Sequence, residues 1–80
     1  MFKPENLQPP IEIDATRLLC PMPVIRLQNA IKPLASGTLV HLRCTDPGTL
    51  HDIPTWCRLF GHTILNTVED DEIHFTIKVK

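Results

Sequence analysis

The sequence has no tyrosine, one tryptophan and three phenylalanines, and no surplus of either charge. Eight Lys and Arg stand against nine Asp and Glu, a formal net charge of −1. Phosphate-binding proteins carry a basic excess, and binders of single strands add aromatic stacking platforms. Neither is present, so direct nucleic-acid binding is disfavoured. No apolar run approaches the length of a membrane span. The first ten residues, MFKPENLQPP, lack an apolar core and a small-residue cleavage site, and read as a flexible tail, not a signal peptide. Three cysteines at irregular spacing make no disulfide framework, and cytoplasm is the default compartment. Cys-x-x-Cys is absent as well: Pro23 stands three residues after Cys20, which removes a thioredoxin-like resolving thiol. His41 and Cys44 lie three apart on a predicted strand and so point to opposite faces, which argues against a metal site.

What is present is enough for one small domain. Eighty residues with 42% apolar content lie near the size at which a single core suffices. Ile11 and Ile13 alternate with Glu12 and Asp14, a short strand. From Pro23 to about Ala35, Val24, Leu27, Ile31 and Leu34 recur at steps of three and four, one face of a helix that Pro33 should loosen. Thr38–Cys44 reads as a strand with Val40, Leu42 and Cys44 on one face. A second helix is predicted from Asp46 as N-cap and Pro47 at its first position, with Leu50, Ile53, Cys57 and Phe60 as its stripe. Pro54 should interrupt that helix, and Gly61 should stop it. His62–Val68 is a third strand, and Glu69–Glu72 an acidic turn. In the fourth strand Ile73, Phe75, Ile77 and Val79 oppose His74, Thr76, Lys78 and Lys80, so one sheet face is dry and the other wet. Right-handed crossovers make the first three strands parallel, with the fourth antiparallel. The predicted fold is a two-layer α/β sandwich, β-α-β-α-β-β, with a four-stranded mixed sheet and both helices on one face. Residues 1–10 form the tail and 11–80 the domain.

Cys20-Pro21-Met22-Pro23 carries the chemistry. It follows the first strand and opens the first helix, so a thiol sits at a helix N-terminus. Pro21 falls near the first helical position, where a missing N–H costs nothing. The positive end of the helix dipole is expected to favour the thiolate, the nucleophilic and sulfur-exchanging form. Cys57 lies on the apolar stripe, and Cys44 ends a core-facing row, so both read as packing. Cys57 is eleven residues beyond Asp46, about 16 Å along a helix, too far for a disulfide with Cys20. Asp46 belongs on the Cys20 edge, where a partner can reach it. Arg26 is close enough to the first turn to meet an acidic partner surface.

Asp14-Ala15-Thr16-Arg17-Leu18-Leu19-Cys20-Pro21-Met22-Pro23 resembles the signature of the TusA (SirA-like) sulfur-carrier family, D-A-x-G-L-x-C-P-x-P. Asp46-Pro47-Gly48-Thr49-Leu50-His51-Asp52-Ile53-Pro54 resembles a second family stretch, and the likeness runs from about Ile11 to the C-terminus. The resemblance implies a sulfurtransferase-type carrier that holds a persulfide on Cys20, with Pro21 and Pro23 supporting the thiolate and the helix start. It implies a donor protein, either a cysteine desulfurase or a rhodanese-like protein. It also implies an acceptor in tRNA thiolation, cofactor biosynthesis or sulfur metabolism. No cofactor and no metal are called for, and the carrier is expected to be a monomer. Arg17 departs from the family glycine: either the loop takes another path, or Arg17 accepts a positive φ. As a cation near the sulfur, Arg17 is also a possible partner contact. The rival reading is a non-catalytic interaction or regulatory domain of the same fold, with an RNA-binding module behind it.

Overall fold

The computed structural model describes residues 9–80; the predicted tail falls mostly on residues 1–8 and lies outside the described residues. Six elements follow in the predicted order: β1 (Ile11–Ala15), α1 (Met22–Ile31), β2 (Leu39–Cys44), α2 (Thr49–Phe60), β3 (Thr63–Glu69) and β4 (Ile73–Lys78). The sheet runs β1-β2-β4-β3. β1 and β2 pair in parallel, and β4 is antiparallel to both of its neighbours, so β1, β2 and β3 point the same way. β4 lies inside the sheet, between β2 and β3. Its regular alternation suits that place, since Ile73, Phe75, Ile77 and Val79 all reach the core.

The register aligns the apolar rows. Ile13, Leu42 and Phe75 are cross-strand neighbours, as are Val40, Ile77 and Ile64. Leu27 and Ile31 from α1 and Ile53 and Cys57 from α2 join the same cluster, so both helices cover one face. Burial of a side chain such as Leu27 stabilises the fold by roughly 1.5–3 kcal/mol. On the uncovered face Glu12 Oε1 meets His41 Nδ1 at 2.7 Å, His41 Nε2 meets His74 Nδ1 at 3.0 Å, and His74 Nε2 meets Asp70 Oδ1 at 3.3 Å. Arg43 grips Glu72 with two bonds of 3.0 and 3.2 Å.

The helices differ from expectation in four ways. α1 ends at Ile31, short of Ala35: Lys32 still holds helical dihedrals of φ −47° and ψ −45°, but Pro33 has no N–H to continue the ladder and its ring crowds the preceding turn. α2 begins at Thr49, with Gly48 in the capping position, not Asp46. The Asp46 carbonyl instead accepts bonds from the Thr49 N–H at 3.0 Å and the Thr49 hydroxyl at 2.7 Å, a tight turn that precedes the helix. Pro54 does not break α2. The N–H it lacks would have served the Leu50 carbonyl, so the loss is confined to one bond near the helix start. Finally, the buried stripe is Thr49, Ile53 and Cys57, while Leu50 and Phe60 are exposed. That rotation places Trp56 at the flank, against Phe60 and His62 at ring separations of 5.2 and 5.1 Å. Gly61 ends α2 at φ 84°, and a Cβ there would lie 2.8 Å from the Lys80 side chain.

Candidate functional site

The loop after β1 is built from short polar contacts. Asp14 Oδ1 accepts the Thr16 N–H at 2.9 Å and the Thr16 hydroxyl at 2.6 Å, and the side-chain bond is the main reason its carboxyl lies below the usual range. Arg17 adopts φ 67° and donates its N–H to Thr45 Oγ1 at 2.8 Å. Of the two outcomes open for Arg17, the chain takes the positive φ, at a cost on the order of 1–3 kcal/mol. The Arg17 side chain is exposed. Arg26 is engaged within the chain: its guanidinium donates to the Asp14 carbonyl at 2.8 Å and ties α1 to the end of β1.

Cys20 is exposed where this loop meets α1. Its N–H donates to Asp46 Oδ2 at 2.9 Å, and its thiol donates to Asp52 Oδ2. Pro21 occupies the capping position, Met22 opens the helix, and Pro23 is buried as its second residue. The topology thus brings the openings of both helices to one edge, as the parallel strands require. A groove of 280 Å³ runs from Cys20 and Pro21 past Val24 to Asp52, Trp56 and Leu59. Leu59 in its lining is exposed, as are Leu19 and Met22 on either side of Cys20-Pro21 in the chain.

The electrostatics correct one expectation. The Cys20 thiol is held above its ordinary range, first by the hydrogen bond to Asp52, then by desolvation and by the charges of Asp52 and Asp46. The helix terminus does not offset this. Pro21 and Pro23 have no N–H, the Met22 N–H is bonded to the Leu19 carbonyl, and those of Val24 and Ile25 are bonded to the Pro21 carbonyl. A full carboxylate charge in contact outweighs the roughly half charge of a helix end. Asp52 was not among the predicted site residues. Its place six residues past Asp46, on the same edge as Cys20, was the available signal. Cys44 and Cys57 are buried, and desolvation pushes both thiols up to about 11. Among the described residues, no group of three or more His, Cys, Asp and Glu is placed to hold a metal ion.

The family model described as Sulfurtransferase TusA matches residues 11–80. The chain belongs to the TusA family. A sulfur carrier protein TusA of Pseudomonas putida strain GB-1 is 44% identical over 65 residues, covering 81% of each chain. One from Pseudomonas paraeruginosa strain PA7 is 43% identical over 58 residues, covering 72% of this chain and 73% of its own. The crystal structure of a SirA-like protein from Desulfitobacterium hafniense superposes with a TM-score of 0.75 at 28% identity, covering 85% of this chain and 95% of that one. The two-layer architecture is therefore that of a TusA-family protein, and the Cys-Pro-Met-Pro turn sits where two helices and two carboxylates converge.

Proposed function

We propose that this protein is a sulfur carrier that holds sulfane sulfur as a persulfide on Cys20. The observation that carries the reading is the placement of an exposed thiol beside an apolar groove, with the other two thiols buried. Sulfur exchange requires a thiol that another sulfur can approach in line, and only Cys20 offers that approach. In loading, Cys20 Sγ attacks the outer sulfur of a donor persulfide, and the donor leaves as its thiol. In delivery, an acceptor thiolate attacks the outer sulfur of the Cys20 persulfide and regenerates Cys20. Pro21 and Pro23 stiffen the turn that presents the sulfur. Exposed Leu19, Met22 and Leu59 supply apolar contact for a protein partner.

The donor in this reading is a cysteine desulfurase or a rhodanese-like protein, and the acceptor serves tRNA thiolation, cofactor biosynthesis or sulfur metabolism. The carrier works as a monomer in the cytoplasm, where its thiols stay reduced, and residues 11–80 are the working domain behind a 1–10 tail. No helix among the described residues is long and apolar enough to cross a membrane. Arg17 and Asp46 flank the thiol as partner contacts. The test is transfer of radiolabelled sulfur from a desulfurase and, separately, from a rhodanese with thiosulfate. Reductant-sensitive label should appear on the wild type, vanish in Cys20→Ala and survive in Cys44→Ala and Cys57→Ala. Absence of label with both donors would favour an interaction or regulatory domain.

A further inference from the structure

Two carboxylates flank Cys20, and they do different things. Asp46 is committed to the backbone, where Oδ2 holds the Cys20 N–H at 2.9 Å and Oδ1 accepts the Gly48 N–H at 3.3 Å. Asp52 faces the sulfur: it stands in the first turn of α2, half-buried, with Oδ2 on the Cys20 thiol. It lines the same groove as Cys20, and among the described residues no basic side chain pairs with it. A proton acceptor is therefore in contact with the one atom that must lose a proton before it can attack.

We propose that Asp52 is a catalytic residue: its carboxylate holds the Cys20 thiol proton in the unloaded carrier and takes that proton as sulfur is loaded. The inference rests on the persulfide-carrier reading. For a donor R–S–SH, Cys20 Sγ attacks the outer sulfur while its proton passes to Asp52. The donor's S–S bond breaks, and R–S⁻ leaves with the electron pair. Asp52 then gives the proton to that thiolate. The products are R–SH and Cys20–S–SH, and the sulfane sulfur moves with no net oxidation or reduction. Ordinary carboxyl and thiol pKa values differ by roughly four to five units, so the proton moves only in concert with S–S cleavage. Away from a donor, the same contact keeps Cys20 as a thiol and makes it sluggish toward small electrophiles.

Asp52→Asn, Asp52→Glu and Asp52→Ser test this, with circular dichroism as the check on folding. The first readout is the pH profile of Cys20 alkylation by iodoacetamide, which uses no sulfur donor. Asp52→Asn should move it to lower pH and speed labelling severalfold near neutrality, with Asp52→Glu returning it toward the wild type. Asp52→Ser serves in place of Asn if the Asn variant does not fold. The second readout is the pH profile of loading from the donor. Without the carboxylate, loading should fall about tenfold per pH unit below the thiol's ionisation, as thiolate becomes scarce. The wild type should decline far less. Alkylation profiles of Asn and Ser variants that coincide with the wild type, or loading profiles of equal steepness, would overturn the role. A wild type that never loads at any pH overturns the carrier reading and its transfer step. The alkylation shift then still decides whether Asp52 holds the proton.

Discussion

The edge that presents Cys20 and the uncovered face of the sheet both display carboxylates, yet they treat them in opposite ways. On the sheet three of them have a basic side-chain partner, Glu12 with His41, Asp70 with His74 and Glu72 with Arg43, and Asp14 is held by Thr16. Around Cys20, Asp46 and Asp52 have no basic partner among the described residues and are spent on a backbone N–H and on the thiol. The sheet face therefore closes its charges on itself, while the Cys20 edge leaves negative charge beside a reactive atom. Uncompensated charge next to an exposed thiol and an apolar groove is what a structural surface avoids and a working site retains.

The sharpest way to break this contrast is to alter each region and follow sulfur. Cys20→Ala should abolish labelling, whereas Glu72→Gln on the sheet face should leave it near wild type. A loss of label in Glu72→Gln would erase the division. Limiting alkylation should also modify Cys20 at least about a hundredfold faster than Cys44 or Cys57. Both buried thiols react only through openings that cost several kcal/mol, and peptide mapping by mass spectrometry reads the order.

Stability should show the reverse ranking. Cys57→Ser puts a hydroxyl in the packed core and should cost about 1–3 kcal/mol, while Cys20→Ser at the exposed rim should stay within about 0.5 kcal/mol. Urea melts compare the two, and a larger loss in Cys20→Ser would mean that the edge is structural.

Alkali provides a milder test. Cys44 and Cys57 have folded pKa values of about 11, raised by desolvation from 9.0. The stability tied to their neutral thiols is complete below pH 9 and is lost as pH rises through 11. Thermal melts should fall over that window, and fall less in Cys57→Ala when each protein is compared with its own value at pH 8. Equal falls would assign the alkaline loss elsewhere.

The smallest effect belongs to the sheet face. The Arg43 hydrogen bond holds Glu72 below 4.5, so that contribution is present above pH 4.5 and is lost as pH falls through the folded value. Glu72→Gln should melt slightly below wild type at pH 7, and the gap should close in acid. A gap that persists at low pH would point to packing, not charge.

Much of this was legible along the chain. Alternation in Ile73–Val79 fixes which sheet face is dry, because side chains on a strand repeat every two residues. The turn at Cys20-Pro21 and the stop at Gly61 depend on residues close in sequence, and both stand where local chemistry puts them. Helix boundaries were less legible. Asp46 can cap a helix or serve the Cys20 backbone, and nothing nearby in the chain chooses between them. Leu50 and Phe60 satisfied the helical period as well as Thr49 did, but packing against the sheet admitted Thr49.

By itself, then, the sequence determined the element order, the split between dry and wet faces, and the exposed cysteine at a helix opening, all of which depend on neighbours within a turn or a strand. Only the tertiary structure decided what surrounds the sulfur. It placed β4 between β2 and β3, accepted a positive φ at Arg17, and set Asp46 and Asp52, 26 and 32 residues beyond Cys20, against its N–H and its thiol. A thiol's proton responds to whatever charge touches it through space, and local sequence cannot report a contact that the chain closes only on folding.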